Sequence, residues 1–94
     1  MKALSTENIE KELAGIDGWE FSDDKLSKKF EFGNFKEAMS FMVRVGFEAE
    51  EQAHHPEWFN VYNRVEISLS THDAGNKVTE KDIRMAKAIE KIAG

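Results

Sequence analysis

The chain has no cysteine, a single proline at Pro56 and only three histidines among its 94 residues. Without cysteine the fold cannot rest on disulfides, and neither a thiolate nucleophile nor a cysteine zinc site is available. No apolar stretch approaches the roughly 20 residues that a membrane-crossing helix needs. The opening "MKALSTENIEKEL" turns polar at once and lacks the apolar core of a secretory signal, so the expected location is cytoplasmic, with no membrane partner. Thirteen Lys and Arg against eighteen Asp and Glu leave a net charge of −5, and neither sign forms a run. Direct nucleic-acid contact, which needs a basic face, is therefore not expected. A nucleophilic serine is equally unsupported, because none sits in a GxSxG-like elbow. What remains is 40% hydrophobic and 33% charged, the balance of one ordinary folded domain spanning 1–94.

Periodicity divides the chain into seven elements. Ser5 caps a first short helix, with Leu4 and Ile9 as a hydrophobic staple, and Gly15 and Gly18 end its pattern. "WEF" and "LSKKFEF" flank the polar turn "SDDK" and read as a hairpin whose Leu26, Phe30 and Phe32 share one face. Asn34 and Glu37 open a long helix running to about Gln52. Its expected core stripe is Phe35, Ala38, Met39, Met42, Val45, Gly46, Ala49 and Ala53. Phe41, Val43 and Phe47 fall outside that stripe and suggest either an interface or scattered exposed residues.

"EWFNVY" and "RVEISLST" form two further strands around a turn near Asn63, with Val65, Ile67 and Leu69 facing one way. "HDAGNK" is a loop. Thr79 then caps a last helix, with Asp82 at its third position, a Val78–Ile83 staple, and Met85, Ala86, Ile89 and Ile92 on its buried side. The order α-β-β-α-β-β-α predicts an α+β fold, a four-stranded antiparallel sheet with helices packed on one face.

The histidines cluster around the single proline in "EEQAHHPEWFNVYN". Pro56 disfavours helical geometry at His55, so the long helix ends there or earlier and the turn is stiff. Glu50 stands four residues before His54, the spacing that places a carboxylate beside an imidazole if the last turn is formed. His72, at the end of the fourth strand, can return to the same neighbourhood. Three imidazoles in one pocket suit proton transfer near neutral pH. Spacing alone leaves other readings open: exposed turn residues, or a metal site from Glu50, His54 and His72, for which no recognised ligand spacing exists. Asp82 reads equally as a helix-start carboxylate. Trp58, Phe59 and Tyr62 form either an aromatic wall or core.

These residues together resemble the pterin-4a-carbinolamine dehydratases. Glu50, His54, His55, Pro56, Tyr62, His72 and Asp82 each stand at a spacing that the family pattern allows, and the likeness extends through "FKEAMSFMVRV" and "HHPEWFNVYNRVEISLSTHD". The resemblance implies a dehydratase that converts a pterin substrate, 4a-hydroxytetrahydropterin, to quinonoid dihydropterin and water, with no metal and no further cofactor. It implies tetrahydrobiopterin recycling and a functional link to a pterin-dependent aromatic amino acid hydroxylase. On the same basis His54 and His55 are the acid/base pair, and His72 binds the pterin and assists proton movement. Glu50 tunes His54, Asp82 supports the pocket near His72, Pro56 fixes the turn, and Tyr62 supports the histidine-bearing strands. A homodimer or homotetramer is implied too. Two further roles follow from the resemblance as alternatives: stabilising dimers of a homeodomain transcription factor through the long helix, or an accessory part in other pterin metabolism.

Overall fold

The computed structural model describes residues 2–94. The helix α1 (Thr6–Leu13) is followed by the strands β1 (Glu20–Ser22) and β2 (Lys25–Glu31) and then by the helix α2 (Phe35–Gln52). The strands β3 (Glu57–Val61) and β4 (Arg64–Leu69), a single 3-10 turn (His72–Ala74) and the helix α3 (Glu80–Ala93) complete the chain. The expected order therefore holds. The strands form one antiparallel sheet in the order β1-β2-β4-β3, so β4 is central and β3 is an edge.

Local chemistry sets each boundary. The Ser5 hydroxyl accepts from the Asn8 amide at the start of α1, and Asn34 Oδ1 accepts from the Glu37 amide at the start of α2. Asp23 and Asp24 both take positive φ between β1 and β2, the conformation of a two-residue hairpin turn that matches the sheet twist. Tyr62 takes the corresponding strained position, φ 50°, between β3 and β4.

Alternation along β4 sends Val65, Ile67 and Leu69 into the core, where they meet Leu26 and Phe30 of β2 and the inner faces of α2 and α3. Lys28 lies on this covered side near its edge. Its ammonium donates to Glu90 of α3 and to the Asp17 carbonyl, stapling the sheet to α3. The other face carries Ser27, Lys29, Glu66 and Ser68, a polar surface consistent with an uncovered sheet.

Two expectations about α2 are corrected. Phe41 is fully buried, its ring 4.9 Å from that of Phe30 and 4.8 Å from that of Phe32. Phe35 and Met39, assigned to the core stripe, are instead exposed. The reason is that α2 packs on the sheet and against α3 together, which turns its buried meridian towards Phe41. Burying that ring contributes about 2–3 kcal/mol. The exposed apolar residues Phe35, Met39, Val43 and Phe47 then follow one another every fourth residue along the free flank.

Trp58 and Phe59 are exposed on opposite faces of the edge strand, so neither the aromatic wall nor the core reading of this segment holds. "HDAGNK" is more ordered than a plain loop: it contains the 3-10 turn and is closed by a bridge between Lys77 and the preceding residue, Thr71. Among the described residues no helix is long and apolar enough to cross a membrane.

Candidate active site

The C-terminus of α2 determines where the histidines go. Ala53 adopts φ 51°, ψ 40°, the left-handed conformation that closes a helix, and the amide of His54 donates back to the Ala49 carbonyl. That reversal turns His54 inward. Its side chain is almost fully buried, and Nε2 lies 2.5 Å from Oδ1 of Asp82, which is itself 0% exposed. Pro56 then leads the chain into β3, leaving His55 outside with Nε2 2.7 Å from Glu50 Oε1.

Glu50 therefore partners His55 rather than His54. The four-residue spacing would have joined it to His54 had the helix continued; the left-handed residue at Ala53 breaks that geometry. Asp82 contacts His54 directly, and through the Thr71 hydroxyl it also reaches the cleft wall next to His72.

Asp82 comes from the first turn of α3, where it closes a capping box: its Oδ2 accepts from the Thr79 backbone N–H at 2.9 Å. The same oxygen accepts from the Thr71 hydroxyl at 2.8 Å, and the Thr79 hydroxyl lies 2.7 Å from that of Thr71. With the single Thr71 proton committed to Asp82, Thr79 is the donor between the two hydroxyls. A buried carboxylate is costly unless its lone pairs are occupied. Here Thr71 and Thr79 occupy Oδ2, and the Nε2–H of His54 satisfies Oδ1. That assigns the proton of the neutral ring to Nε2 and leaves Nδ1, which makes no hydrogen bond among the described residues, as the lone-pair nitrogen.

His72 lies in the 3-10 turn, exposed, with Nδ1 3.3 Å from Asn76 Oδ1 and no partner at Nε2 among the described residues. Thr71 pins this turn: its N–H donates to the Lys77 carbonyl, and its own carbonyl accepts from Ala74 and Asn76. His54, His55 and His72 thus line one cleft of about 260 Å³, together with Ala53, Ser70, Thr71, Asp73 and Lys81. Larger depressions exist, one of about 540 Å³ on the open sheet face and one of about 400 Å³ beside α3, but neither contains a histidine. Chemistry, not size, singles out the smaller cleft.

Tyr62 is absent from it. The residue occupies the turn at the far end of the β3–β4 hairpin from His55 and His72, so within one chain it cannot brace the histidine ends of those strands. Thr71 and Lys81 were missed by the reading of the sequence. Thr71 continues the inward register of Val65, Ile67 and Leu69, and a polar residue in that register was a usable signal. Nothing distinguished Lys81.

A family model described as pterin 4 alpha carbinolamine dehydratase matches residues 2–92. The chain belongs to the pterin-4a-carbinolamine dehydratase family. A protein of Opitutus terrae, named provisionally for that activity, is 53% identical over 90 residues, covering 96% of this chain and 93% of its own. A provisionally named relative from Christiangramia forsetii is 53% identical over 92 residues, covering 98% and 94%. The crystal structure of a transcriptional coactivator/pterin dehydratase from Brucella melitensis superposes with a TM-score of 0.94 at 41% identity, over 99% of this chain and 100% of that one. A pterin dehydratase-like RuBisCO assembly factor of the alpha-carboxysome shares the fold alone, with a TM-score of 0.72 at 22% identity over 84% and 93%. Pterin-4a-carbinolamine dehydratase membership implies a pterin as the substrate class.

Proposed function

We propose that this chain dehydrates 4a-hydroxytetrahydropterin to quinonoid dihydropterin and water, recycling the tetrahydrobiopterin-type cofactor of an aromatic amino acid hydroxylase in the cytoplasm. The observation that carries this reading is the gathering of three imidazoles in one cleft, one of them buried and anchored on a buried carboxylate. In the reaction the C4a–O bond breaks as the hydroxyl takes a proton and leaves as water; N5 gives up its proton as the C4a=N5 bond forms. Acid and base must act at two positions on one rigid bicycle, which a single imidazole cannot reach at once.

His54 is oriented for one of these transfers, with its Nδ1 available while Asp82 holds the other edge of the ring. His55 exchanges protons with solvent beside Glu50, and His72 binds the pterin through the free edge of its ring. Pro56 keeps the adjacent pair from re-entering helical geometry. Acid–base assistance of this kind contributes about 10²–10⁴-fold.

The same chain forms a homodimer or homotetramer in this reading. Support comes from the unprotected edge strand β3, whose only charged residue is Glu57, and from the apolar flank Phe35, Met39, Val43 and Phe47. That flank also suits a coactivator role of the kind named for the Brucella melitensis structure. A Phe47→Glu variant that loses a transcription-factor complex while His54→Ala keeps it would favour that second role.

The enzymatic reading is tested by the rate of loss of 4a-hydroxytetrahydropterin, generated in place by a pterin-dependent hydroxylase, with wild-type protein, without it and with His54→Ala. Acceleration that the substitution removes is expected. Folded wild-type protein without acceleration would overturn the assignment.

A further inference from the structure

We infer that Thr71 is a positioning residue for the dehydration, fixing through Asp82 which nitrogen of His54 carries the proton and, through its backbone, holding the turn that carries His72. The inference rests on the dehydratase reading for its kinetic part only.

Beyond the end of β4, Thr71 takes the next inward position after Leu69, so its side chain enters the core side of the sheet instead of facing solvent. A hydroxyl buried to 3% exposure needs partners, and it has them: it accepts from the Thr79 hydroxyl and donates to Asp82 Oδ2. The capping box accounts for only one of the contacts to Asp82, the backbone N–H of Thr79. A helix cap would be complete without Thr71.

What the threonine adds is a second donor on Oδ2, directed from the strand and not from the helix. The carboxylate is then gripped from two elements, β4 and α3, and Oδ1 is left to receive the Nε2–H of His54. The ring therefore keeps its lone pair at Nδ1. The backbone of the same residue makes three hydrogen bonds, to Lys77, Ala74 and Asn76, which define the His72 turn. One residue thereby links the orientation of the buried histidine to the placement of the exposed one.

The test compares Thr71→Val, which deletes the hydroxyl, with Thr71→Ser, which keeps it, by dehydration kinetics and by the imidazole 15N spectrum of His54. In the wild-type protein the spectrum should show the proton on Nε2. Thr71→Val should lower kcat about tenfold, a typical cost of one hydrogen bond to a charged group, with KM within twofold. Its His54 signal should shift towards mixed tautomers. Thr71→Ser should restore both readouts to within about threefold of wild type.

Equal losses in the Ser and Val variants would overturn the proposal, because packing and not the hydroxyl would then be responsible. An unchanged His54 spectrum in folded Thr71→Val would overturn it too. If Thr71→Val does not fold, the wild-type spectrum still decides: a proton on Nδ1 refutes the assignment. A wild-type protein inactive on the carbinolamine would remove the dehydratase reading, while the spectra alone would still uphold or refute the control of the tautomer.

Discussion

Replacing Asp82 by asparagine removes the charge of the buried pair while nearly preserving its shape. The asparagine carbonyl can still accept from Thr71 and from the Thr79 amide, so its NH2 group must face Nε2 of His54, where the carboxylate oxygen now lies 2.5 Å away. Two donors then oppose each other. The imidazole can relieve the clash only by moving its proton to Nδ1, which replaces the lone pair at its free edge with an N–H. Three hydrogen bonds lose their charged acceptor, at about 1 kcal/mol each, so stability should fall by about 2–3 kcal/mol. For a domain of this size that is a fall of roughly 10–20 °C in Tm.

The kinetic effect follows separately, because a group held in the wrong tautomer loses its acid–base contribution. A fall in kcat of about 10²-fold or more is expected, measured at a temperature where the variant is folded. The two effects distinguish the account from simple helix capping, whose loss costs about 1 kcal/mol and leaves folded molecules fully active. Asp82→Asn protein with kcat within threefold of wild type would refute the claim that Asp82 sets the state of His54.

Ala53→Gly should stabilise the fold by about 0.5–1 kcal/mol in denaturant titration, because relief of the left-handed backbone outweighs the added freedom of the unfolded chain. Phe41→Ala should cost about 3–5 kcal/mol in the same measurement, since its ring is fully buried between Phe30 and Phe32. Glu50→Gln should change stability by less than about 1 kcal/mol and kcat by less than about threefold in the dehydration assay, because its pair with His55 is largely exposed and screened by solvent.

The architecture was legible because its signals are local. Alternation in β4, the Asn34 and Thr79 caps and the Asp23–Asp24 turn each act within a few residues, and together they specify seven elements in order. The site was legible in part: the HHP turn and His72 stand out as titratable groups at strand ends. Their partners did not. The Glu50–His54 spacing assumed a helix that continues, and one left-handed alanine redirects both side chains.

The pairing of His54 with Asp82 spans 28 residues and depends on how α3 lies across the end of the sheet, which no periodicity records. Phe41 was misplaced for a similar reason, since a helical projection finds one apolar direction whereas α2 has two packing partners. Tyr62 met a spacing yet sits at the opposite end of its hairpin, a reminder that strand length separates residues that the sequence keeps close.

The central claim is that the pterin is handled in the histidine cleft. It is tested most directly by titrating 15N-labelled protein with a dihydropterin and following the imidazole and backbone signals together. Saturable shifts at His54, His55, His72 and the Thr71 amide, with Ser27, Lys29 and Glu66 of the open sheet face unmoved, are the expected result. Shifts confined to the open sheet face or to the flank of α2, with the three imidazoles unchanged, would contradict the account.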